Sequence, residues 1–125
     1  MIVDTDIIVW YMRGNEKARA LIETIDSFHL SVISYIELLQ GMRNKNELRE
    51  LRKALNEWHA NVLFISEEIS AKALFLIETF YLSHSLTLAD ALIAATAVSY
   101  GIAIFTGNDR HYRMIAGLDV KKFAP

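Results

Sequence analysis

The chain has 125 residues, 53% of them hydrophobic, with no cysteine and a single proline. That size builds one domain with its own core, and the composition excludes a disordered chain, a disulfide framework and a thiolate metal site. Thirteen Lys and Arg against fifteen Asp and Glu leave a net charge of −2, so a uniformly basic nucleic-acid binder is excluded and any such contact must use a local patch or a metal. In chain order, Ile2–Val3 reads as a first strand and runs into Asp4-Thr5-Asp6. Asn15 is a cap for the helical stripe Ala18, Leu21, Ile22 and Ile25. Phe28–Ile33 reads as a second strand, and Leu48, Leu51, Leu55 and Trp58 as the apolar stripe of a further helix. Asn61–Ile65 is a third strand. Ser66 then opens a helix with Ile69, Ala73, Leu76, Ile77 and Phe80 on one face. Ala91, Ala94, Ala95 and Val98 belong to a helix small enough in section to lie close against a sheet. Ile102–Phe105 is a fourth strand and Leu118–Val120 a candidate fifth.

Strands alternating with helices and lacking tight hairpin signals imply parallel pairing through crossovers. The expected architecture is a three-layer α/β/α sandwich around a central parallel sheet, formed by residues 1–125 as a single domain. The uncharged stretch Ala91–Asn108 is better explained by a helix stopping at Gly101 and a short strand than by a membrane span. No charged leader precedes the first apolar run, so a cytoplasmic location is expected.

In parallel sheets, ligands sit beyond the carboxyl ends of the strands. Asp4 and Asp6 follow the first strand directly, although either could simply cap the next helix. Glu37 is the only charge between Asp26 and Arg43. Ser34-x-x-Glu37 and Thr87-x-x-Asp90 both match the capping-box pattern, so each acid alone also reads as helix-start chemistry. Together they put Glu37 and Asp90 at helix starts facing the edge that Asp4 marks. Clustered carboxylates repel one another, and a hard divalent cation relieves the repulsion. Mg²⁺, with Mn²⁺ as an alternative, takes oxygen ligands and is usually held by one or two carboxylates plus water and substrate phosphates. Phe105-Thr106-Gly107-Asn108-Asp109, after the fourth strand, is a further oxygen-rich segment: Thr106 could hydrogen-bond a ligating carboxylate, and Asn108 or Asp109 could hold a water. Its alternative reading is a polar turn. A metal held this way suits phosphodiester hydrolysis without a nucleophilic side chain.

Four segments now carry a family resemblance: Ile2-Val3-Asp4-Thr5-Asp6, Ser34-Tyr35-Ile36-Glu37-Leu38, Leu88-Ala89-Asp90-Ala91-Leu92-Ile93-Ala94-Ala95 and Thr106-Gly107-Asn108-Asp109-Arg110-His111-Tyr112. In this order they resemble the signature segments of PIN-domain ribonucleases, over nearly the whole chain. The bare, compact domain resembles the VapC-type toxins of toxin–antitoxin pairs. The resemblance implies a Mg²⁺- or Mn²⁺-dependent endoribonuclease, usually homodimeric, that cuts structured RNA such as tRNA or rRNA and is silenced by a VapB-type antitoxin. Carried over by motif, Asp4 and Asp90 match the principal metal carboxylates, Glu37 the second acidic position and Thr106 the polar residue that supports them. One position departs. Many members of the family carry an acid two residues after that threonine. Here Asn108 stands there and Asp109 follows, so one well-occupied metal is expected before substrate binds.

Arg43, Lys45, Arg49, Arg52 and Lys53 form a mixed-charge stretch with Glu47 and Glu50. It reads first as a solvated helix face and second as a track for RNA. Arg43 and Arg110 are the candidate RNA contacts, with Arg13 and Arg113 as alternatives. Trp10-Tyr11-Met12 read first as core residues and second, with Leu38, Leu39 and Met42, as the lining of a groove that would take an amphipathic antitoxin helix. The four histidines are scattered and receive no catalytic role. Two rival readings remain. Asp4-Thr5-Asp6 resembles the start of haloacid-dehalogenase-type phosphatases, but the lysine those enzymes need before their last acids is missing. The other rival is a PIN-like module that binds without cleaving.

Overall fold

The computed structural model describes all residues, 1–125. Five strands form one sheet: β1 (Ile2–Val3), β2 (Phe28–Ser31), β3 (Ala60–Leu63), β4 (Ile104–Thr106) and β5 (Val120–Lys122). Their order is β3-β2-β1-β4-β5, and every neighbouring pair is parallel. Six helices join them: α1 (Thr5–Met12), α2 (Glu16–Thr24), α3 (Val32–Gln40), α4 (Lys45–Glu57), α5 (Glu67–His84) and α6 (Leu88–Tyr100). A short 3₁₀ turn, Asp109–His111, follows β4.

Side chains alternate across a strand, and β1 uses that alternation fully. Ile2 faces a core with Ile104, Ile69, Leu76 and the alanines of α6. Val3 faces a second core with Phe28, Leu30, Ile7, Ile22, Leu51 and Leu55. The sheet is therefore covered on both sides, as a parallel sheet must be. Ala91, Ala94, Ala95 and Ala97 are fully buried, so α6 packs closely. Gly101, in the left-handed region at φ 65°, ends that helix. No helix is long and apolar enough to cross a membrane.

The element boundaries differ from expectation in instructive places. The second strand stops at Ser31, two residues early. The β-branched pair Val32–Ile33 enters α3 instead, because the Ser31 hydroxyl accepts the Ile33 amide at 3.1 Å and caps the helix there. Ser34 is thus inside α3 and does not cap it, which removes the Ser34–Glu37 capping box. The third, fourth and fifth strands are each displaced by one or two residues. The caps at Asn15, Ser66 and Thr87 lie where the sequence puts them.

The chain runs from β1 outward through β2 to β3, then returns to add β4 on the other side of β1. The crevice between β1 and β4 at their carboxyl ends is the switch point where doubly wound sheets bind ligands. The close packing of α6 makes one expectation specific. Ala94→Leu forces three extra carbons into a filled interior and should lower unfolding stability by about 1–3 kcal/mol in denaturant titration. An unchanged midpoint would show that the α6 layer has slack.

Candidate active site

Asp4 leaves β1 as the N-cap of α1. Its Oδ1 accepts the Thr5 amide at 2.8 Å, so the capping reading is correct for one oxygen. The other oxygen has a different task. Asp4 Oδ2 accepts from the Thr106 hydroxyl at 2.8 Å and lies 3.1 Å from the Tyr112 hydroxyl. Thr106 in turn accepts the Asn108 amide at 2.9 Å, which directs its proton to Asp4. Burial pushes the Asp4 carboxyl up to about 6, against the hydrogen bond from Thr106, and the charges of Asp6 and Asp90 push the same way.

Tyr112 is fully buried. Its Oη is 3.1 Å from Asp4 Oδ2 and 3.1 Å from Asp90 Oδ1. One phenolic proton serves two carboxylates, so the bridge joins the end of β1 to the start of α6. Burial, then the two nearby negative charges, hold this phenol far above its usual range. Asp90 is also in the first turn of α6, where Thr87 caps its amide at 3.2 Å. Its carboxylate does not close a capping box; it is turned to Tyr112 and, at 3.0 Å, to His111 Nδ1.

Asp6 Oδ2 accepts the Gly107 amide at 2.9 Å and the Asn108 side-chain amide at 3.4 Å. A Cβ on residue 107 would lie 2.5 Å from that same oxygen, so only glycine allows the approach. Asp6 Oδ1 is buried and has no hydrogen-bond partner. Burial raises the Asp6 carboxyl as well. Glu37 comes from α3. Its Oε1 lies 2.8 Å from the Thr5 hydroxyl, which is also 2.7 Å from the buried Ser34 hydroxyl. Helical spacing puts Ser34 and Glu37 on one face, and Thr5 docks that face on α1.

One cavity of about 410 Å³ gathers these groups, lined by Asp4, Asp6, Glu37, Asp90, Asn108 and His111 together with Thr5, Val9, Trp10 and Arg13. The structure brings together most of the acids the sequence singles out, but not Asp109. That carboxylate is taken by Arg113 one helical turn later, outside the cavity. Asn108 is the residue of that segment that reaches the cavity. Neither Arg43 nor Arg110 lines it. Arg43 pairs with Glu47 at 2.9 Å and borders a separate apolar groove of about 650 Å³. That groove is lined by Val9, Tyr11, Met12, Met42, Leu51, Ala54 and Trp58 among others. Trp10 faces the acidic cavity instead, and Leu39 borders neither space. Sequence reasoning missed two residues, His111 and Tyr112. Both lie in the quoted Thr106–Tyr112 segment, and only the 3₁₀ turn shows which way they face.

No three histidine or acidic side chains already stand as a ready-made ligand set. The donor set still fits a hydrated hard cation. Asp4 and Asp90 supply carboxylate oxygens at one cavity, Asp6 Oδ1 is an unsatisfied buried acceptor, and no Lys or Arg pairs with any of them. Mg²⁺ commonly needs only one or two protein carboxylates.

Asp4 also sets a pH dependence. Its folded pKa is raised from 3.8 to about 6, so the folded state binds the proton more tightly than the unfolded chain. Stability from this group is therefore fully present below about pH 4 and falls as pH rises toward 6. Above that the cost is roughly 3 kcal/mol. Metal-free Asp4→Asn should unfold at higher denaturant than the unsubstituted protein at pH 7.5, with the advantage narrowing below pH 6. Mn²⁺ should stabilise the unsubstituted protein at pH 7.5 and leave Asp4→Asn unmoved. A variant that is less stable at pH 7.5 would contradict this account.

Comparison with known proteins bears on the whole fold. A toxin–antitoxin complex from Klebsiella pneumoniae contains a chain similar to this one, with a TM-score of 0.79 and 25% identity over 94% of this chain and 93% of that one. VapBC-1 from nontypeable Haemophilus influenzae matches with a TM-score of 0.80 and 22% identity, over 97% and 96% of the two chains. VapBC2 from Rickettsia felis, solved with a DNA fragment from its promoter, matches with a TM-score of 0.83 and 17% identity, over 98% of both. No curated protein matches in sequence. The PIN-domain family profile matches residues 1–117, nearly the entire chain. With its acids gathered at the carboxyl edge of a parallel sheet, this chain belongs to the PIN-domain family.

Proposed function

We propose that this protein is a metal-dependent endoribonuclease, the toxin of a toxin–antitoxin pair of the VapC type. One observation carries the reading: Asp4, Asp6, Glu37 and Asp90 share a cavity at the β1–β4 switch point, with no Lys or Arg paired to any of the four and only His111 set against Asp90. Structural likeness to chains from toxin–antitoxin complexes supports the toxin assignment. The proposed substrate is structured RNA such as tRNA or rRNA.

Asp4 and Asp90 are the proposed ligands of a single Mg²⁺ or Mn²⁺, with Asp6 and Asn108 holding its waters. When bound, such an ion orients the scissile phosphate, acidifies the attacking water and offsets charge on the leaving oxygen. The chain's own groups do the rest. Thr106 fixes the rotamer of Asp4, and Tyr112 sets the spacing between Asp4 and Asp90. Glu37 has one oxygen held by Thr5, which leaves the other free to take a proton from water at the cavity wall. No side chain forms a bond to phosphorus.

The antitoxin is proposed to lay an amphipathic helix in the apolar groove between α1 and α4. Val9 and Arg13 border both that groove and the acidic cavity, so an occupant of one reaches the other. Exposed Leu74, Phe75 and Leu82 along α5 support the homodimer that the family resemblance implies.

Purified protein should cut total RNA into discrete products with Mg²⁺ or Mn²⁺. EDTA, Asp4→Asn and Asp90→Asn should each abolish them, costing at least about 100-fold in rate. A folded, antitoxin-free sample that cuts no RNA would favour the binding-module reading, for which Asn108 in place of an acid is the specific support. In the groove, Trp58→Ala and Met42→Glu should each weaken antitoxin binding more than tenfold by calorimetry, while Leu39→Ala should not. Equal losses at all three positions would put the antitoxin elsewhere.

A further inference from the structure

The acidic cavity has one wall of opposite character. Trp10 and Arg13 stand one helical turn apart at the end of α1, and both line it. The Arg13 guanidinium carbon lies 5.9 Å from the centre of the Trp10 ring. Arg13 is the C-cap of α1, and its amide donates to Val9 at 3.0 Å. Gly14 follows at φ 86° and turns the chain, and the exposed Arg13 side chain borders the cavity from this end of α1. Arg19, Arg43 and Arg113 each have a carboxylate partner. Arg13 has none within 4.0 Å, although four carboxylates line the same cavity. It is also the only permanently charged cation there; His111, held by Asp90, is the other basic group.

A polyanion entering a cavity of four acids needs a cation that those acids have not neutralised. The half-buried indole under that cation offers a sequence-tolerant face for a base once the guanidinium swings to a phosphate. We infer that Trp10 and Arg13 form a nucleotide subsite for the RNA substrate. Arg13 takes the phosphate next to the scissile one, and Trp10 stacks the base attached to it. The inference rests on the nuclease reading and adds where the strand lies: from the metal carboxylates across the end of α1. A surface arginine resting on an aromatic ring is common in any protein. The unpaired charge inside an acidic cavity is what separates this pair from that background.

The test uses the full-length protein and end-labelled bulk tRNA, a structured RNA of mixed sequence. Binding is read by anisotropy in an Asp90→Asn background, and cleavage by steady-state kinetics without that substitution. Trp10→Leu should raise Kd and KM by roughly 5–100-fold with kcat little changed. Trp10→Phe, which keeps an aromatic ring and most of the packing, should fall between. Arg13→Ala should lower the slope of log affinity against log salt by about 0.7, and Arg13→Lys should restore it. Unchanged KM and salt slope in folded Trp10→Leu and Arg13→Ala, while the unsubstituted protein cleaves RNA, would overturn the subsite alone. Loss of antitoxin affinity with RNA affinity intact would also overturn it and assign the pair to the protein partner. An unsubstituted protein that neither binds nor cleaves RNA would remove the nuclease reading and the subsite with it.

Discussion

A buried carboxylate holds this site together. Asp4 is 5% exposed, and a charge so placed must be compensated by hydrogen bonds or by a cation. Its oxygens engage four different pieces of chain: its own helix through Thr5, the end of β4 through Thr106, the segment after the 3₁₀ turn through Tyr112, and, by way of Tyr112, the start of α6 through Asp90. These bonds are too few to compensate the charge fully, which is why burial still raises its pKa. The fold thus keeps a group that is costly when ionised at a point where a divalent cation would make it favourable. Such a local cost is expected where a site is built for a ligand rather than for stability.

The topology explains why those pieces meet. β1 lies in the middle of the sheet, with β2 and β3 on one side and β4 and β5 on the other. The connections leaving β1 and β4 therefore part in opposite directions, and their first residues line the gap. Asp4, Asp6, Thr106 and Asn108 all come from those two exits. Glu37 comes from the second half of α3 and Asp90 from the first turn of α6, and they are drawn in by Thr5 and Tyr112 respectively. The acidic cavity and the apolar groove share Val9 and Arg13 on α1. One short helix therefore links the proposed chemistry to its proposed inhibition.

Much of this was legible in local patterns. The alternation of short apolar runs with helical stripes determined the layers, because each pattern can bury its face in only one kind of element. Asn15, Ser66 and Thr87 were legible as caps, since capping depends on residues within one turn. Ser34 was not. A β-branched run reads as strand until the ladder partner runs out, and β2 loses its partner at Ser31↔Leu63. The place of Asp109 was hidden for a related reason: its partner, Arg113, is close in sequence, but whether the carboxylate meets Arg113 or the cavity depends on the direction of the 3₁₀ turn.

Local periodicity and capping were enough for the parallel α/β/α architecture, for Asp4 at a strand end and for Asp90 in the first turn of its helix, but not for Glu37, which lies in the second half of α3 because Ser31 rather than Ser34 caps that helix. The composition also excluded a thiolate-held metal, since the chain has no cysteine. Only the tertiary structure decided that Tyr112 spans two aspartates, that His111 meets Asp90, that Asn108 rather than Asp109 enters the cavity, and that Trp10 faces acids instead of the groove. Those outcomes depend on contacts between residues far apart in the chain, up to 108 positions for Asp4 and Tyr112. No local spacing encodes such a contact, because it exists only after the sheet has brought the ends of β1 and β4 side by side.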